Sequence, residues 1–402
     1  MGTAKLWNPF SGEYPHNPYP MYDRLRVESP IHQSQSGDFV FTRHSDIRSI
    51  LLNNKDFRSG NRLEWITRQV RYLENKDEDL SAILEAMDSF IVMMNPPEHT
   101  ELRRILMAAW NDHEVDHIIE QNINELLTAI DGPATDIIPT FAEPLPAMTI
   151  ARIMGLPLKD YVQLKALATG VLRCLDLYLS VKQLVEIDKH SRQFIAYLND
   201  YLDYREANLS SDLVSKVILQ YKKESIVLER RKLISICIFL FMAGEETTVN
   251  LIGTGLLTIL SHPDSKTAII NDRALLENCV EECLRFESPV QLLGRIPNRD
   301  IEVCGVPIKK NATLTLAIGA ANRDPAVFTN PEKFDIRRNA KAHLAFGAGI
   351  HFCMGAWLAK KQWHMAMTAL FGRYSNITIT DTPVWNNLLS VRGLVSLKLL
   401  LK

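Results

Sequence analysis

Through the middle of the chain, apolar residues recur every three to four positions, the spacing that lays one buried stripe along an α-helix. The pattern predicts helices over 97–110, 116–130, 145–154, 160–177, 182–207 and 212–221. Gly155 is placed to close the third of these, as a residue that tolerates left-handed backbone. A longer pattern runs over 228–260 until His262-Pro263 stops it. Its apolar centre, 233–243, is followed by Glu245 and Glu246. That centre is too short for a bilayer and suits a helix buried in a large α domain.

Toward the ends the period changes. Alternation over 30–42, broken at Ser36-Gly37-Asp38, predicts a hairpin, and Ser45 is expected to cap a short helix over 46–52. Residues 60–92 carry a mixed pattern that fits a pocket cover or a plain surface excursion equally well. Short helices are expected over 265–270 and 274–286, and then strands at 295–296, 301–303, 306–308 and 313–316. A polar, Pro-punctuated meander fills 321–346, helix resumes from Gly355 to near Tyr374, and short strands alternate through 377–401. No Gly/Ser-rich, Pro-rich or charge-block linker interrupts the 402 residues, so one domain over 1–402 is expected. The fold class is mainly α with small β-sheets (α+β).

Composition narrows the function. With 45 basic and 47 acidic residues the net charge is -2, which argues against a general nucleic-acid binder. Six cysteines show no CxxC pair and no zinc-ligand spacing, so neither a disulfide scaffold nor a zinc site is indicated. Cys279 and Cys283, four apart on a helix, read as core packing. The polar stretch 1–23 has no apolar run for a signal peptide or membrane span, and Leu6 stands where a myristoylation signal needs Ser or Thr. A soluble, cytoplasmic monomer with no membrane or nucleic-acid partner is expected.

The chemistry concentrates at 346–355, where Phe346, Gly347, Gly349, His351, Cys353 and Gly355 set one cysteine among glycines just before a helix. A thiolate there is favoured by the orphan N–H groups and the positive end of the helix dipole. Glycines without Cβ let a flat, bulky group lie against the backbone. On its own a lone cysteine is most often a small buried hydrophobe. The segment, however, resembles the cysteine loop of the cytochrome P450 family, Phe-Gly-x-Gly-x-His-x-Cys-x-Gly, at every specified position. The resemblance implies the P450 fold, a long central helix over a haem b (iron protoporphyrin IX), and Cys353 as axial thiolate of its iron.

Three further segments resemble the same family. Ala243-Gly244-Glu245-Glu246-Thr247-Thr248 is similar to the distal element of its long helix. Glycine inside a helix costs about 1 kcal/mol relative to alanine, and a closely approaching ligand would explain Gly244. The resemblance implies Ala243 and Gly244 beside the haem, Gly244 opening the helix for O2, Thr247 hydrogen-bonding the bound dioxygen, and Glu246 passing protons inward through water. The plainer alternative makes Glu245 and Glu246 a solvated face and Thr247 a hydroxyl bonded to the preceding turn. Glu282-x-x-Arg285 resembles the family's buried pair, with Arg338 of the meander as its structural partner rather than Arg337. Pro96-Pro97-Glu98-His99-Thr100-Glu101-Leu102-Arg103 opens a helix whose His99 and Arg103, with Arg295 and His351, are implied as haem propionate ligands.

The match extends through 321–325 and 392–394, covers most of 91–375, and implies a soluble, bacterial-type member. Asn95, Trp110, Lys360 and Lys398 depart from frequent family residues. The activity implied is a haem-thiolate monooxygenase that hydroxylates or epoxidises a mainly apolar small molecule with O2. A tailoring step in secondary metabolism, on a polyketide, peptide, terpenoid or fatty acyl compound, is expected. No flavin, nicotinamide or iron–sulfur signature is visible, so electrons are expected from a separate ferredoxin or flavodoxin with its reductase. It would dock on the basic face near Cys353, to which Lys341, Lys360 and Lys361 contribute. Rival readings are an H2O2-using peroxygenase, against which Glu246 and Thr247 count, a haem-based sensor or carrier, and a helical scaffold with no cofactor. Pocket walls are expected from 60–92, 165–185, 239–243, Leu292, Leu293, Leu388 and Leu389.

Overall fold

The apolar stripes need partners, and the helices that carry them pack mainly on one another. The computed structural model describes residues 6–35, 37–74, 79–110, 114–176 and 179–402. Its helices are α1 (Tyr19–Glu28), α2 (His44–Leu52), α3 (Asn61–Glu74), α4 (Ser81–Met87), α5 (Glu98–Ala109), α6 (Val115–Ala129), α7 (Pro144–Met154) and α8 (Tyr161–Leu172). They continue with α9 (Val181–Ala207), α10 (Leu213–Lys223), α11 (Arg230–Leu260), α12 (Pro263–Asn271), α13 (Leu276–Phe286), α14 (Ile318–Ala321) and α15 (Ala356–Arg373). The strands are β1 (Ile31–Gln33), β2 (Phe39–Phe41), β3 (Phe57–Arg58), β4 (Ala134–Asp136), β5 (Leu292–Pro297), β6 (Ile301–Val303), β7 (Val306–Ile308), β8 (Leu314–Ala317), β9 (Ile377–Ile379), β10 (Val384–Trp385), β11 (Leu394–Ser396) and β12 (Lys398–Leu401).

The chain forms two compact units. The first comprises residues up to Arg58, Thr128–Ala142 and Thr247–Lys402; the second comprises Ser59–Leu127 and Glu143–Glu246. All the strands named above fall in the first unit. Its largest sheet has the order β1-β2-β8-β5-β3, with β2 parallel to β8 and the other pairs antiparallel. Phe39, Phe41, Leu314 and Leu316 from this sheet pack with Ile47 and Ile50 of α2. The sheet β4-β12-β9 brings the last strand to both neighbours in antiparallel register. The second unit is built from helices, with α9 lying along α8 and α4, and α5 along α10.

Helix ends follow local chemistry in several places. Ser180 and Gln183 form a reciprocal capping box at the start of α9. Asp212 accepts from Ser215 N at 2.8 Å to open α10, and Gly155 ends α7 at φ +72°. Two expectations are corrected and one open stretch is assigned. Ser45 lies inside α2, whose first N–H, that of His44, donates instead to Asp324 Oδ2 at 2.9 Å. The mixed stretch 60–92 holds α3 and α4, with Ile66, Val70 and Leu73 buried at helical spacing. The helix expected over 160–177 stops as α-helix at Leu172 and continues as the single turn Arg173–Leu175. Ser36 of the hairpin turn, residues 75–78 and 177–178 of the expected pocket walls, and residues 1–5 of the N-terminal stretch lie outside the described residues.

By length and composition α11, at 31 residues, could cross a membrane, a wider apolar span than its centre alone suggests. Within it, 72% of the most apolar window is buried in the protein, as in a core helix.

Candidate functional site

The cysteine loop is shaped by its glycines. Gly347 and Gly349 both take φ near +70°, a backbone region that side chains with Cβ rarely adopt. Gly347 N donates to Leu344 O at 2.8 Å, Phe352 N to Gly349 O at 3.0 Å, and Cys353 N to Phe346 O at 3.0 Å, so the loop closes on itself. Buried Asn322 anchors it: its Oδ1 accepts from Leu344 N at 2.6 Å and its Nδ2 donates to Ser288 Oγ at 2.7 Å. A Cβ on Gly349 would come within 2.5 Å of Leu51 O, so this glycine also lets the loop sit against the end of α2. Cys353 emerges exposed, two residues before the N-cap Gly355 of α15. His351 ends the single turn Gly349–His351, and Phe346 and Phe352 face edge-on at 6.3 Å.

These residues fit a flat, anionic macrocycle held through sulfur. A Cβ on Gly355 would meet nothing within 4 Å, and one on Gly347 would meet only His351 O, at 3.8 Å, which leaves the ground beside the thiol open. In the same unit Arg295, on β5, is 6% exposed and donates to Gly294 O at 2.8 Å. Among the described residues it forms no ion pair with a carboxylate. Burial lowers its pKa to about 10, still cationic at neutral pH, so the buried guanidinium suits an anionic partner such as a propionate.

Behind the loop, Glu282 and Arg285 of α13 are fully buried and joined at 2.7 and 2.8 Å. Arg285 also donates to the carbonyls of Asn322, Pro331 and Lys333, which fastens the meander. Arg338 Nε donates to Glu282 Oε1 at 3.2 Å, while Arg337 points to solvent. Lys360 donates to Glu281 Oε1 at 2.9 Å, so its charge is already engaged. Lys341 is exposed, and Lys361 lies over the Trp357 ring at 5.9 Å. Leu292 and Leu389 are buried, and Leu293 packs against the sheet core. Thr247, the first residue of this unit's stretch of α11, is half-buried.

In the second unit, His99 is buried on α5 with Arg103 one turn on. Burial first, and then the Arg103 charge, lower the His99 pKa. Asn95 exchanges hydrogen bonds with the Ser59 backbone at 2.9 and 3.2 Å, which accounts for an amide there. Gly244 has a packing reason: a Cβ would come to 3.2 Å from Ile150 of α7. Ala243 and Glu246 are half-buried.

Glu245, which the resemblance gives no role, is a buried acid. It is fully buried rather than solvated, and among the described residues neither carboxyl oxygen has a hydrogen-bond partner. Burial pushes its carboxyl well above the usual carboxylate range. The sequence held the signal, because Glu245 falls seven after Ile238 and four after Phe241, both buried.

A helical chain with small sheets, an exposed thiol in a glycine loop and a buried arginine without a carboxylate partner is the build of a sulfur-ligating cofactor protein. Comparison with known proteins gives the family. The Cytochrome P450 family model matches residues 164–401. The biotin biosynthesis cytochrome P450 of Bacillus subtilis is 34% identical over 380 residues, covering 92% of each chain. The polyketide biosynthesis cytochrome P450 PksS of the same organism is 30% identical over 98% of each chain. The solved structure of P450BioI with an acyl-chain-ligated acyl carrier protein has a TM-score of 0.86 at 30% identity, covering 97% of this chain and 99% of that one. This chain belongs to the cytochrome P450 family, of the bacterial type, and its fold and monooxygenase activity are the family's. The family implies a haem-thiolate cofactor.

Proposed function

We propose that both units act as one domain over 1–402 that binds haem b, with Cys353 as its sulfur ligand. The observation that carries this is the exposed thiol of a loop fixed by Gly347, Gly349 and the Cys353–Phe346 hydrogen bond. Phe346 and Gly355 would flank the thiolate, and Arg295, His351, His99 and Arg103 would hold the propionates. Ala243 and Gly244 would lie beside the cofactor on the helix. Bound haem supplies the reductive activation of O2. Glu246 would move protons inward to the Thr247 hydroxyl through water, the acid and hydroxyl such chemistry needs. Glu282, Arg285 and Arg338 would brace the loop from behind.

The substrate is a mainly apolar acyl or polyketide-like compound, hydroxylated or epoxidised as a tailoring step. Support comes from relatives named for biotin and polyketide biosynthesis, and from the apolar character of Leu292, Leu293 and Leu389. Electrons come from a separate ferredoxin or flavodoxin with its reductase, docking near Lys341 and Lys361. The protein works as a cytoplasmic monomer.

Purified protein, reduced under carbon monoxide, should show the strongly red-shifted Soret band of thiolate-ligated haem, and Cys353→Ala should lose it. A band unchanged in Cys353→Ala would refute the ligand assignment. Free fatty acids, their carrier-protein thioesters and macrolactones, screened by shifts of the oxidised Soret band, then rank the substrate classes.

A further inference from the structure

Within the first unit, three polar side chains tie the start of the chain to two of the expected pocket walls. Tyr14 precedes α1, Tyr22 lies on it, and Gln291 comes one residue before Leu292 of β5. All three are buried. The two hydroxyls are 2.8 Å apart, Tyr22 Oη lies 3.2 Å from Gln291 Oε1, and Tyr14 Oη lies 3.3 Å from Leu389 O. Leu389 sits between β10 and β11, and the residues after it are laced to the start of β5. Gln291 N donates to Ser390 O at 2.8 Å, and Arg392 N to Pro289 O at 2.7 Å. The hydroxyl protons do not suffice for these side-chain contacts. Gln291 Nε2 donates to Ser288 O at 2.8 Å, which turns Oε1, an acceptor only, toward Tyr22. Leu389 O is likewise only an acceptor. Each phenol hydroxyl carries one proton, so two protons face three contacts and one contact is always unmade. With the shortest contact kept, two arrangements remain. In one, Tyr14 donates to Tyr22 and Tyr22 to Gln291, and Leu389 O loses this donor. In the other, Tyr22 donates to Tyr14 and Tyr14 to Leu389, and Gln291 Oε1 loses its donor. Each arrangement makes one hydroxyl–hydroxyl bond and one hydroxyl–carbonyl bond, so the two are close in energy.

We propose that Tyr14 and Tyr22 set substrate selectivity by holding or releasing the Leu389 segment of the pocket wall. This rests on the monooxygenase reading above, in which Leu292 and Leu389 face the substrate. A wall fixed through the Tyr14 bond has one shape and discriminates between ligands by girth. Without that bond the segment yields to a wide ligand, which draws the pair toward the arrangement that suits it. Both tyrosines act through the wall and are positioning residues.

The test uses haem-loaded protein and two iron-binding imidazoles, the narrow N-dodecylimidazole and the wide N-tritylimidazole, titrated by the Soret band with plain imidazole as control. Tyr14→Phe removes the donor to Leu389, so the ratio of the trityl to the dodecyl dissociation constant should fall several-fold. Tyr22→Phe leaves the Tyr14 proton only Leu389 O among these acceptors, so the ratio should rise several-fold. Gln291→Met turns the Tyr22 proton to Tyr14 and should copy that rise, which keeps the test open where Tyr22→Phe does not fold. Plain imidazole should bind every variant as it binds wild type. Amide hydrogen exchange over 386–391 should quicken in Tyr14→Phe and slow in Tyr22→Phe and Gln291→Met. A purely structural role would move all the variants in one direction. A ratio that stays at the wild-type value, or that shifts the same way in Tyr14→Phe as in Tyr22→Phe or Gln291→Met, overturns the proposal alone. A wild type with no haem-thiolate spectrum overturns the reading beneath it, and the proposal with it.

Discussion

Glu281 shows how far one carboxylate can be committed to holding the cysteine loop. It accepts from His343 Nε2 and from Lys360 Nζ, each at 2.9 Å. The ring's tautomer is fixed, because Ala345 N donates to His343 Nδ1 and leaves the proton on Nε2. Burial pushes the Glu281 carboxyl up, but these two bonds outweigh it and hold the pKa at about 2, against an ordinary 4.5. A depressed folded-state pKa contributes stability that is complete above the unfolded value and is lost as pH falls through the folded one. The expected contribution is roughly 2–3 kcal/mol, lost between pH 4.5 and 2. Urea unfolding at pH 7, 4 and 3 should show wild type converging on Glu281→Gln as pH drops. Curves that stay parallel across that window would remove Glu281 from the account.

At the scale of elements, α11 meets the C-terminal segment through a contact that leaves no room for a methyl group. A Cβ on Gly393 would lie 1.5 Å from Oδ1 and 2.1 Å from Cγ of Asn250, a buried side chain on α11. Next to it, Arg392 donates to Glu287 Oε2 at 2.9 Å and to His16 O at 2.9 Å, and stacks over Trp385 at 3.6 Å. With its neighbours fixed, Gly393→Ala must displace the Asn250 amide, an overpacking cost of about 1–3 kcal/mol. Gly393→Ala combined with Asn250→Ala should be less destabilising than the two single losses added, measured as a double-mutant cycle in denaturant. Strict additivity would mean that the clash is relieved elsewhere.

The same scale shows which elements a reader of the sequence can find. Helices with a clean stripe were legible: α7 with its terminator Gly155, α9, and α12 after His262 all fall within two residues of expectation. The Glu282–Arg285–Arg338 cluster was legible through the family resemblance, because an i,i+3 pair alone is a weak signal, and Arg338 rather than the adjacent Arg337 is the residue that joins it. What failed depended on distance along the chain or on mixed polarity. Ser45 looked like the cap of α2, but the carboxylate that serves it comes from Asp324. In α3 the stripe Ile66, Val70 and Leu73 is interleaved with Arg62, Arg68 and Arg71, which hid its period. Glu245 was hidden because a glutamate is expected to face water, and only the phase of the surrounding helix says otherwise.

For the whole molecule, the places where the chain passes between its two units explain why no linker was visible. The passages fall at residues 58–59, 127–128, 142–143 and 246–247. The second lies inside α6 and the fourth inside α11, so continuous helical hydrogen bonding runs through both. A helix cannot stop at Glu246 without stranding backbone carbonyls and N–H groups of the next turn, and the residues on both sides, Met242 and Val249, are buried. Opening one unit alone would therefore break a helix in its middle. Both halves of α11 should then share one opening event, with exchange free energies within about 1 kcal/mol of each other. Hydrogen–deuterium exchange with mass spectrometry, resolved into peptides on either side of Glu246, measures this directly. Clearly weaker protection confined to 230–246 would instead make the units separate folding entities, and the proposal of a single domain would fall.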